Sequence, residues 1–398
     1  MEDLTVTPSR HDFGELHAAM QKYVDDDILA GVSSAVLVGR DVVDVHCAGW
    51  ADRESRAPLR SDHIFRAFSS TKLITSCAAL LLVEEGLVQL DEPVERCLPQ
   101  LADRRVLRPG ATAIDDTVPA RAPITLRHLL THSAGLSYGI FDPGTPMFKA
   151  YNARKVRRPE GTLADMMDAL EGLPLSYHPG TGWEYSVATD VVSRLVEVLS
   201  GERFDHFIQR RILGPLGMVD TGFVVPAEKR DRFVAYYAGA DALDPMKPGL
   251  TRTDDAPYPG AYLKPFPLLS GGGGLVTTLN DQVALIRSLL PGGPTLLKPE
   301  TLASMMSNHL PPGQCIDFLG RGQIPGKGFG LSGAVTLKPS SIDPPDSTGE
   351  LQWGGIAGTH WWISPKRNLA GLVMAQRQLA FWHPFSFDLK RRVYRAVA

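Results

Sequence analysis

The chain has 398 residues, of which 43% are hydrophobic and 21% are charged. This composition is typical of a globular protein with room for about two domains. The formal net charge of -3 gives no general attraction to polyanions, so we expect neither nucleic acid nor a membrane surface as a partner.

No leader and no membrane segment are predicted. Residues 1–20 contain no basic segment followed by an apolar one, and no apolar run is long enough to cross a bilayer. The four cysteines are scattered, and neither they nor the histidines follow a metal-ligand spacing. We therefore expect a cytoplasmic protein with reduced thiols, no bound metal and no cofactor.

The N-terminal part predicts a helix followed by a β-hairpin. Residues 13–29 have the apolar spacing of an amphipathic helix. Residues 33–38 and 42–48 are rich in β-branched side chains and alternate in polarity, with a Gly-Arg-Asp turn between them. After a polar loop at 49–60, the chain is expected to enter its next helix from the edge of an antiparallel sheet.

That next helix begins with a Ser-x-x-Lys sequence, Ser69 to Lys72, and carries no charge from Leu73 to Val83. A helix that is apolar on nearly all faces is buried. Lysine is unfavourable in its first turn, because the helix dipole is positive there and burial removes the ammonium from water. Such a conflict with local stability indicates a functional residue.

Ser69 and Lys72 suit nucleophilic catalysis. Positions i and i+3 of a helix share a face, so the two side chains are expected side by side. A serine hydroxyl needs a base, and burial near a helix N-terminus lowers the pKa of a lysine toward that role. Main-chain N–H groups at the helix start are candidates for binding a developing oxyanion.

The middle of the chain, residues 96–259, is predicted to be mainly helical. Four helices are expected from the apolar periodicity, at 124–136, 162–170, 187–199 and 204–213. Thr125 is the expected N-cap of the first of them. A basic cluster at 154–158 is interpreted as a solvated loop.

The C-terminal part returns to strands. A glycine run at 271–274 precedes a helix whose expected cap is Asn280 or Asp281. Four strands and a final amphipathic helix follow, at 328–337, 350–355, 360–364, 369–375 and 384–397. Strands at both ends predict an α/β (α+β) fold, in which both chain ends form one antiparallel sheet flanked by helices. The predicted α/β domain comprises residues 1–95 and 260–398, and the mainly helical segment is inserted in it.

Two further stretches are candidate site segments. Tyr185 follows a Pro-Gly-x-Gly-Trp turn at the start of a helix, and a phenol near an ammonium ionises more easily and can act as a base. Residues 351–356, LQWGGI, end a strand with Gly354 and Gly355, which indicates that a ligand approaches the backbone closely. The alternatives are a structural tyrosine and a bulge beside a buried Trp353.

Together these stretches resemble the serine β-lactamase and penicillin-binding protein family, nearest its class C-like esterase branch, the family VIII carboxylesterases. The resemblance covers nearly the whole chain. Three more segments support it, HLLTHSAGL at 128–136, PLGMVDT at 215–221 and GGGL at 272–275. It implies a β-lactamase/transpeptidase-like fold and a small-molecule ester as substrate.

The resemblance also implies roles for individual residues. Ser69 would be the nucleophile, Lys72 its hydrogen-bonded activator, and Tyr185 the base that relays protons to and from the leaving group. The main-chain N–H groups of Ser69 and Ile356 would hold the oxyanion. The reaction would be acylation of the enzyme, loss of the alcohol and hydrolysis of the acyl-enzyme by water.

Two positions depart from the β-lactamase pattern. Val187 stands where those enzymes have the asparagine of Tyr-x-Asn, and Trp353-Gly354-Gly355 replaces their Lys-Thr-Gly. In the family that lysine helps to bind the β-lactam carboxylate, and the asparagine binds the acyl-amide side chain. The differences argue against efficient β-lactam hydrolysis and for uncharged esters with short to medium acyl chains.

Several alternatives stay open at this point. An acyltransferase, or a weak β-lactamase or peptidase, would use the same residues, whereas the intact Ser-Lys-Tyr set disfavours an inactive scaffold protein. The sequence GLSYG at 135–139 matches the Gly-x-Ser-x-Gly of α/β-hydrolases, but its Ser137 follows a helix and leads into a loop. His132 and His360 could serve a Ser-His-Asp triad, although we interpret both as structural. The oligomeric state is not predicted.

Overall fold

A computed structural model of the protein describes residues 4–242, 244–318, 322–379 and 384–398. Its helices are α1 (Gly14–Asp25), α2 (Thr71–Glu84), α3 (Leu126–Leu130), α4 (Pro146–Ala153), α5 (Leu163–Leu170), α6 (Ala188–Ser200), α7 (Phe204–Ile208), α8 (Leu279–Arg287), α9 (Pro299–Met305) and α10 (Phe385–Ala396). Its strands are β1 (Gly31–Val38), β2 (Asp41–Asp52), β3 (Ala57–Pro58), β4 (Phe65–Arg66), β5 (Arg105–Leu107), β6 (Thr117–Pro119), β7 (Tyr237–Gly239), β8 (Leu250–Arg252), β9 (Val276–Thr277), β10 (Ile316–Phe318), β11 (Gly322–Ile324), β12 (Lys327–Phe329), β13 (Ala334–Thr336), β14 (Leu351–Gly355), β15 (Thr359–Ser364) and β16 (Leu369–Ala375).

Both ends of the chain form one antiparallel sheet, as predicted. Its eight strands lie in the order β12-β13-β14-β15-β16-β1-β2-β3. The two ends meet where β1 pairs with β16, with Val32 opposite Ala375 and Val38 opposite Leu369. The segment between the two groups of strands carries α2 to α9, together with short two-stranded pairs. The predicted α/β (α+β) architecture is therefore confirmed, while the domain boundaries at 95/96 and 259/260 stay a prediction.

Helices cover both faces of this sheet. On one face Val32 and Val36 of β1 belong to the same apolar cluster as Leu16 of α1 and Leu389 of α10. On the other face Ala35 joins the larger core, which continues through α8 into α2. Successive side chains of a strand point to opposite faces, so a strand covered on both sides is apolar throughout. This explains why β1 is almost completely buried.

Three sequence-based element boundaries were wrong, each for a local reason. The helix predicted at 124–136 ends at Leu130, because His132 adopts a left-handed backbone conformation with φ +56°. The single strand predicted at 328–337 is the β12-β13 hairpin, closed by a hydrogen bond from Gly330 N to Gly333 O. The N-cap of α8 is Thr278, and not Asn280 or Asp281.

Two local predictions at helix ends are confirmed. Thr125 caps α3, and its oxygen accepts a hydrogen bond from the main-chain N–H of His128. The α6 helix ends at Gly201, whose φ of +70° is the left-handed conformation that favours glycine. All four cysteines are unpaired, and Cys77 is buried in the core. Within the described ranges, no helix combines the length and apolar character needed to cross a membrane.

Candidate active site

Ser69 lies in a 3₁₀ turn, Phe68–Ser70, that leads directly into α2. The turn is held from both sides, because the preceding β4 pairs with β9 and the Ser70 hydroxyl donates to the Thr359 carbonyl at 2.7 Å. Phe68 has a φ of +44°, a conformation that costs energy for a residue with a Cβ atom. A strained residue fixed directly before a half-buried serine is typical of a functional turn.

Lys72 is buried in the first turn of α2, as the sequence predicts. Its ammonium nitrogen donates to the carbonyl oxygen of Gly272 at 2.6 Å. Burial lowers the pKa of Lys72, while the phenol of Tyr138 and the carboxylate of Asp190 oppose that effect. The lowered pKa raises the fraction of neutral amine, which is the form that can accept a proton.

The glycine run at 271–274 is required by the packing of the chain on itself. A Cβ atom on Gly271 would overlap the Ser193 hydroxyl, and one on Gly272 would lie 2.7 Å from a carboxylate oxygen of Asp190. Only because these side chains are absent can the loop pass between α2 and α6. The Gly272 carbonyl thereby reaches Lys72.

Asp190, in the first turn of α6, anchors this loop. Its Oδ1 accepts hydrogen bonds from the Ser270 hydroxyl at 2.5 Å and from the Gly272 N–H at 3.0 Å. Its Oδ2 is buried and has no hydrogen-bond partner among the described residues. Asp190 thus fixes the Gly272 carbonyl that in turn fixes Lys72. The sequence did not single out Asp190, because an acidic residue in the first turn of a helix is ordinary.

The Tyr185 side chain, on the turn before α6, lies beside Ser69 and Lys72. Its hydroxyl is within hydrogen-bonding reach of Ser69 and accepts a hydrogen bond of 3.4 Å from Trp353 Nε1. The Lys72 nitrogen lies 4.6 Å from the centre of its ring. Burial raises the pKa of Tyr185 above its usual value, and the hydrogen bonds from Ser69 and Trp353 only partly oppose this. The expectation that Tyr185 ionises more easily is therefore wrong, since burial outweighs the hydrogen bonds that favour the ionised phenol.

The end of β14 brings the remaining predicted residues to the site. Trp353, Gly354 and Ile356 line the same cavity as Ser69. Gly355 does not line it, and a Cβ atom there would overlap the carbonyl oxygen of Ala67. At Gly355 a close approach is thus made by the protein's own chain, while Gly354 borders the cavity and its predicted approach to a ligand stays a prediction. The N–H of Ile356 has no acceptor among the described residues, so it is available to bind an oxyanion.

One cavity of about 630 Å³ is lined by five of the predicted residues, Ser69, Tyr185, Trp353, Gly354 and Ile356. Its lining is largely aromatic, and includes Tyr138, Phe141, Tyr258, Phe266, Phe318 and Trp353. A cavity of this size and character suits a small apolar organic molecule. Arg157, from the basic cluster that the sequence analysis assigned to solvent, also lines it.

The alternative candidates do not line the cavity of Ser69. Ser137 is fully buried under the Tyr151 side chain, and its main-chain N–H donates to the Tyr151 hydroxyl at 3.1 Å. His132 is buried beneath Tyr185, where burial and then the charge of Lys72 hold the pKa of its imidazole well below the usual value. His360 lies on β15 and does not line the cavity of Ser69. Among the residues that the structure describes, no group of His, Cys, Asp and Glu is placed to hold a metal ion.

Comparison with known proteins shows the family of the chain. The family model described as Beta-lactamase matches residues 16–384. Lovastatin esterase of Penicillium rubens is 34% identical over 84% of this chain and 85% of its own length. Esterase EstB of Burkholderia gladioli is 30% identical over 95% of this chain and 94% of its own. The solved structure of EstCE1, a hydrolase with promiscuous acyltransferase activity, superposes with a TM-score of 0.78 at 25% identity, covering 96% of this chain and 97% of that one.

The chain therefore belongs to the beta-lactamase family, as its motifs predicted. It is an enzyme of this family, a serine ester hydrolase.

Proposed function

We propose that the protein is a carboxylesterase that hydrolyses short- to medium-chain acyl esters through an acyl-enzyme on Ser69. The observation that carries this proposal is the convergence of three groups from separate segments. Ser69 opens into the cavity, the Tyr185 hydroxyl is within hydrogen-bonding reach of it, and the buried Lys72 has a lowered pKa one helical turn away. The Trp-Gly-Gly form at 353–355 favours the class C-like esterase branch, the family VIII carboxylesterases, within the family.

Acylation begins with attack of the Ser69 hydroxyl on the ester carbonyl. Neutral Lys72 accepts the serine proton, and the N–H groups of Ser69 and Ile356 stabilise the oxyanion. Because burial keeps the proton on Tyr185, its phenol is a donor in the resting enzyme. Tyr185 then protonates the departing alkoxide and recovers its proton from the Lys72 ammonium, so the proton count balances.

Deacylation reverses the same transfers. Water takes the place of the alcohol and attacks the acyl carbonyl, and its proton passes to Lys72 by way of Tyr185. Collapse of the tetrahedral intermediate breaks the bond to Ser69, whose oxygen recovers the proton. The site thus returns to its starting protonation state without a cofactor.

The lining of the cavity supports acyl esters over β-lactams. Trp353 lies against Tyr185 with ring centres 5.4 Å apart, and stacks on Phe318 at 6.0 Å. This apolar wall occupies the position where the β-lactamase motif has a lysine for the substrate carboxylate. A volume of about 630 Å³ leaves room for an acyl chain of short to medium length.

A second candidate activity is acyl transfer to an alcohol. The structural similarity to EstCE1, a hydrolase with promiscuous acyltransferase activity, favours it. The same residues would serve, since the reaction differs only in whether water or an alcohol attacks the acyl-enzyme.

The free cysteines support a reducing, cytoplasmic location, and the net charge of -3 supports the absence of a nucleic-acid partner.

Hydrolysis of p-nitrophenyl esters from acetate to dodecanoate tests the proposal. We expect turnover of the shorter members and loss of nearly all of it in Ser69→Ala. An activated phosphonate should add once, on Ser69, as read by peptide mass spectrometry. An adduct on Ser137, or wild-type rates in Ser69→Ala, would remove Ser69 as the nucleophile.

Two parallel assays fix the reaction type. Nitrocefin turnover without ester turnover would reverse the substrate assignment. Addition of a primary alcohol to the ester assay measures partition of the acyl-enzyme. Appearance of the transferred ester, at a rate that depends on Ser69, would establish the acyltransferase activity.

A further inference from the structure

We propose that Arg157 forms a subsite for an anionic group, so that the preferred substrates are esters carrying a carboxylate remote from the scissile bond. The inference rests on the proposed esterase function and names its substrate class. It also changes the expectation of uncharged esters. That expectation did not include Arg157, because the basic cluster was interpreted as a solvated loop, whereas Arg157 lines the cavity.

Arg157 differs from its neighbours in the basic cluster by facing the cavity. Arg154 donates to the Glu171 carbonyl at 3.1 Å, and Arg158 forms an ion pair with Asp165 at 3.3 Å. Arg157 instead lines the cavity that contains Ser69. Among the described residues it has no carboxylate partner. Its charge is therefore the one in the cluster that is available to a ligand in the cavity.

The cavity has no other charged side chain in the described part of its lining. Besides Arg157, the polar groups there are hydroxyls, main-chain groups and the amide of Gln378. Arg157 is exposed to solvent, and its guanidinium can bind a carboxylate through two parallel hydrogen bonds at the edge of this cavity. As the charged side chain in the described lining, Arg157 favours a ligand that carries an anionic group.

The position of Arg157 sets where that anion lies. Its guanidinium carbon is 4.5 Å from the centre of the Tyr138 ring, and that ring is 5.6 Å from the ring of Tyr185. The Lys72 nitrogen lies on the same Tyr138 ring, 5.8 Å from its centre. Arg157 is therefore separated from the reacting groups by a single aromatic side chain. A carboxylate bound there belongs to the same molecule as the ester, with a spacer of several atoms between them.

The charge of Arg157 also acts on its surroundings. Burial raises the pKa of Tyr258, and Arg157 opposes that effect. Burial likewise raises the pKa of Tyr138, against the charges of Lys72 and Arg157. These effects agree with the geometry, since both phenols line the cavity.

The test compares matched esters with and without the charge. For the acyl side the pair is mono-p-nitrophenyl suberate and its neutral methyl ester. For the alcohol side it is 4-acetoxybenzoate and methyl 4-acetoxybenzoate. In the wild-type enzyme we expect kcat/KM for the charged member of one pair to exceed that of the neutral member by roughly 3- to 10-fold, because solvent screens an exposed guanidinium. The preference should lie mainly in KM, because the contact is remote from the reacting bond, and should weaken with added salt.

Variants assign the preference to Arg157. Arg157→Gln should reduce the ratio of charged to neutral turnover to near one, and Arg157→Lys should retain part of it. Arg158→Gln is the matched control, since it removes the same charge from the next position of the loop without touching the cavity, and its ratio should equal that of the wild type.

Each outcome bears on a different claim. Turnover of neutral esters with no charged preference in either pair, or a preference unchanged in Arg157→Gln, would overturn the subsite and leave the esterase function intact. Absence of turnover for every ester would overturn the proposed function and the subsite with it.

Discussion

Replacing Asp190 with asparagine tests how Lys72 is kept at the correct protonation state. Asp190 Oδ1 accepts from Ser270 and from the Gly272 N–H, and the Gly272 carbonyl accepts from Lys72. Asparagine retains an acceptor oxygen at the position of Oδ1. Its amide nitrogen takes the position of Oδ2, which has no hydrogen-bond partner among the described residues. The substitution therefore removes the negative charge while leaving the hydrogen bonds of the loop able to form.

The size of the expected change in the pKa of Lys72 follows from the distance between the Asp190 carboxylate and the Lys72 ammonium. The path between them runs through hydrogen bonds of 3.0 and 2.6 Å and across one glycine. The carboxylate and the ammonium thus lie within about 9 Å of each other. At an effective dielectric constant of about 20, a unit charge at that distance contributes about 2 kcal/mol. Because the carboxylate favours the ammonium form, its loss lowers the pKa of Lys72 further.

The assay is the pH dependence of kcat/KM for a neutral p-nitrophenyl ester. The rate falls on the acidic side as Lys72 becomes protonated, so Asp190→Asn should move that limb to lower pH. At a fixed pH on the limb, the fraction of neutral Lys72 should rise on the order of tenfold. Ser270→Ala is the control, because it removes a hydrogen bond to Asp190 without changing any charge, and its limb should stay in place. A limb that stays in place or moves to higher pH in Asp190→Asn would refute Lys72 as the proton acceptor.

Three further predictions follow from other contacts. Tyr185→Phe should lower kcat/KM by roughly 10²- to 10⁴-fold, while Tyr236→Phe, in the wall of the same cavity, should not; equal losses would remove the proton relay. Gly355→Ala should lower both the denaturation midpoint and kcat, at a cost of about 1–3 kcal/mol in unfolding free energy. Gly273→Ala should be tolerated, since the atom nearest to the new methyl group would be 3.6 Å away. Equal melting curves for the two would contradict the packing argument. Glu350→Gln should cost about 3–5 kcal/mol in urea unfolding, because its carboxylate is fully buried against a buried lysine ammonium at 2.6 Å, and a loss below 1 kcal/mol would show that the pair is solvated.

Local features of the chain could be predicted from the sequence because their causes are local. Ser69 and Lys72 are three positions apart, and the charge-free run after them requires a buried helix. The hairpin at the N-terminus follows from alternation, and the α6 terminus follows from a glycine that can adopt positive φ. The sequence also placed strands at both ends, which restricted the fold to a sheet made from both termini.

Long-range contacts decided the rest. Lys72 donates its hydrogen bond to the Gly272 carbonyl. The two segments come this close because Gly271 and Gly272 lack side chains that would hold the loop away from α2. No periodic pattern encodes a contact across so many residues. For the same reason the sequence did not indicate that Gly355 packs against the chain before Ser69.

Protonation and the direction of side chains also depend on the tertiary structure. The sequence correctly lowered the pKa of Lys72, because burial and the helix dipole act in the same direction. It gave the wrong direction for the pKa of Tyr185, because burial opposes the hydrogen bonds from Ser69 and Trp353 and only the packed site shows which effect is larger. Arg157 and Arg158 are adjacent and chemically identical in the sequence, and only the folded loop directs one to the cavity and the other to a surface carboxylate. The sequence by itself determined the chemistry available to this protein, and the packing of distant segments determined which groups can use it.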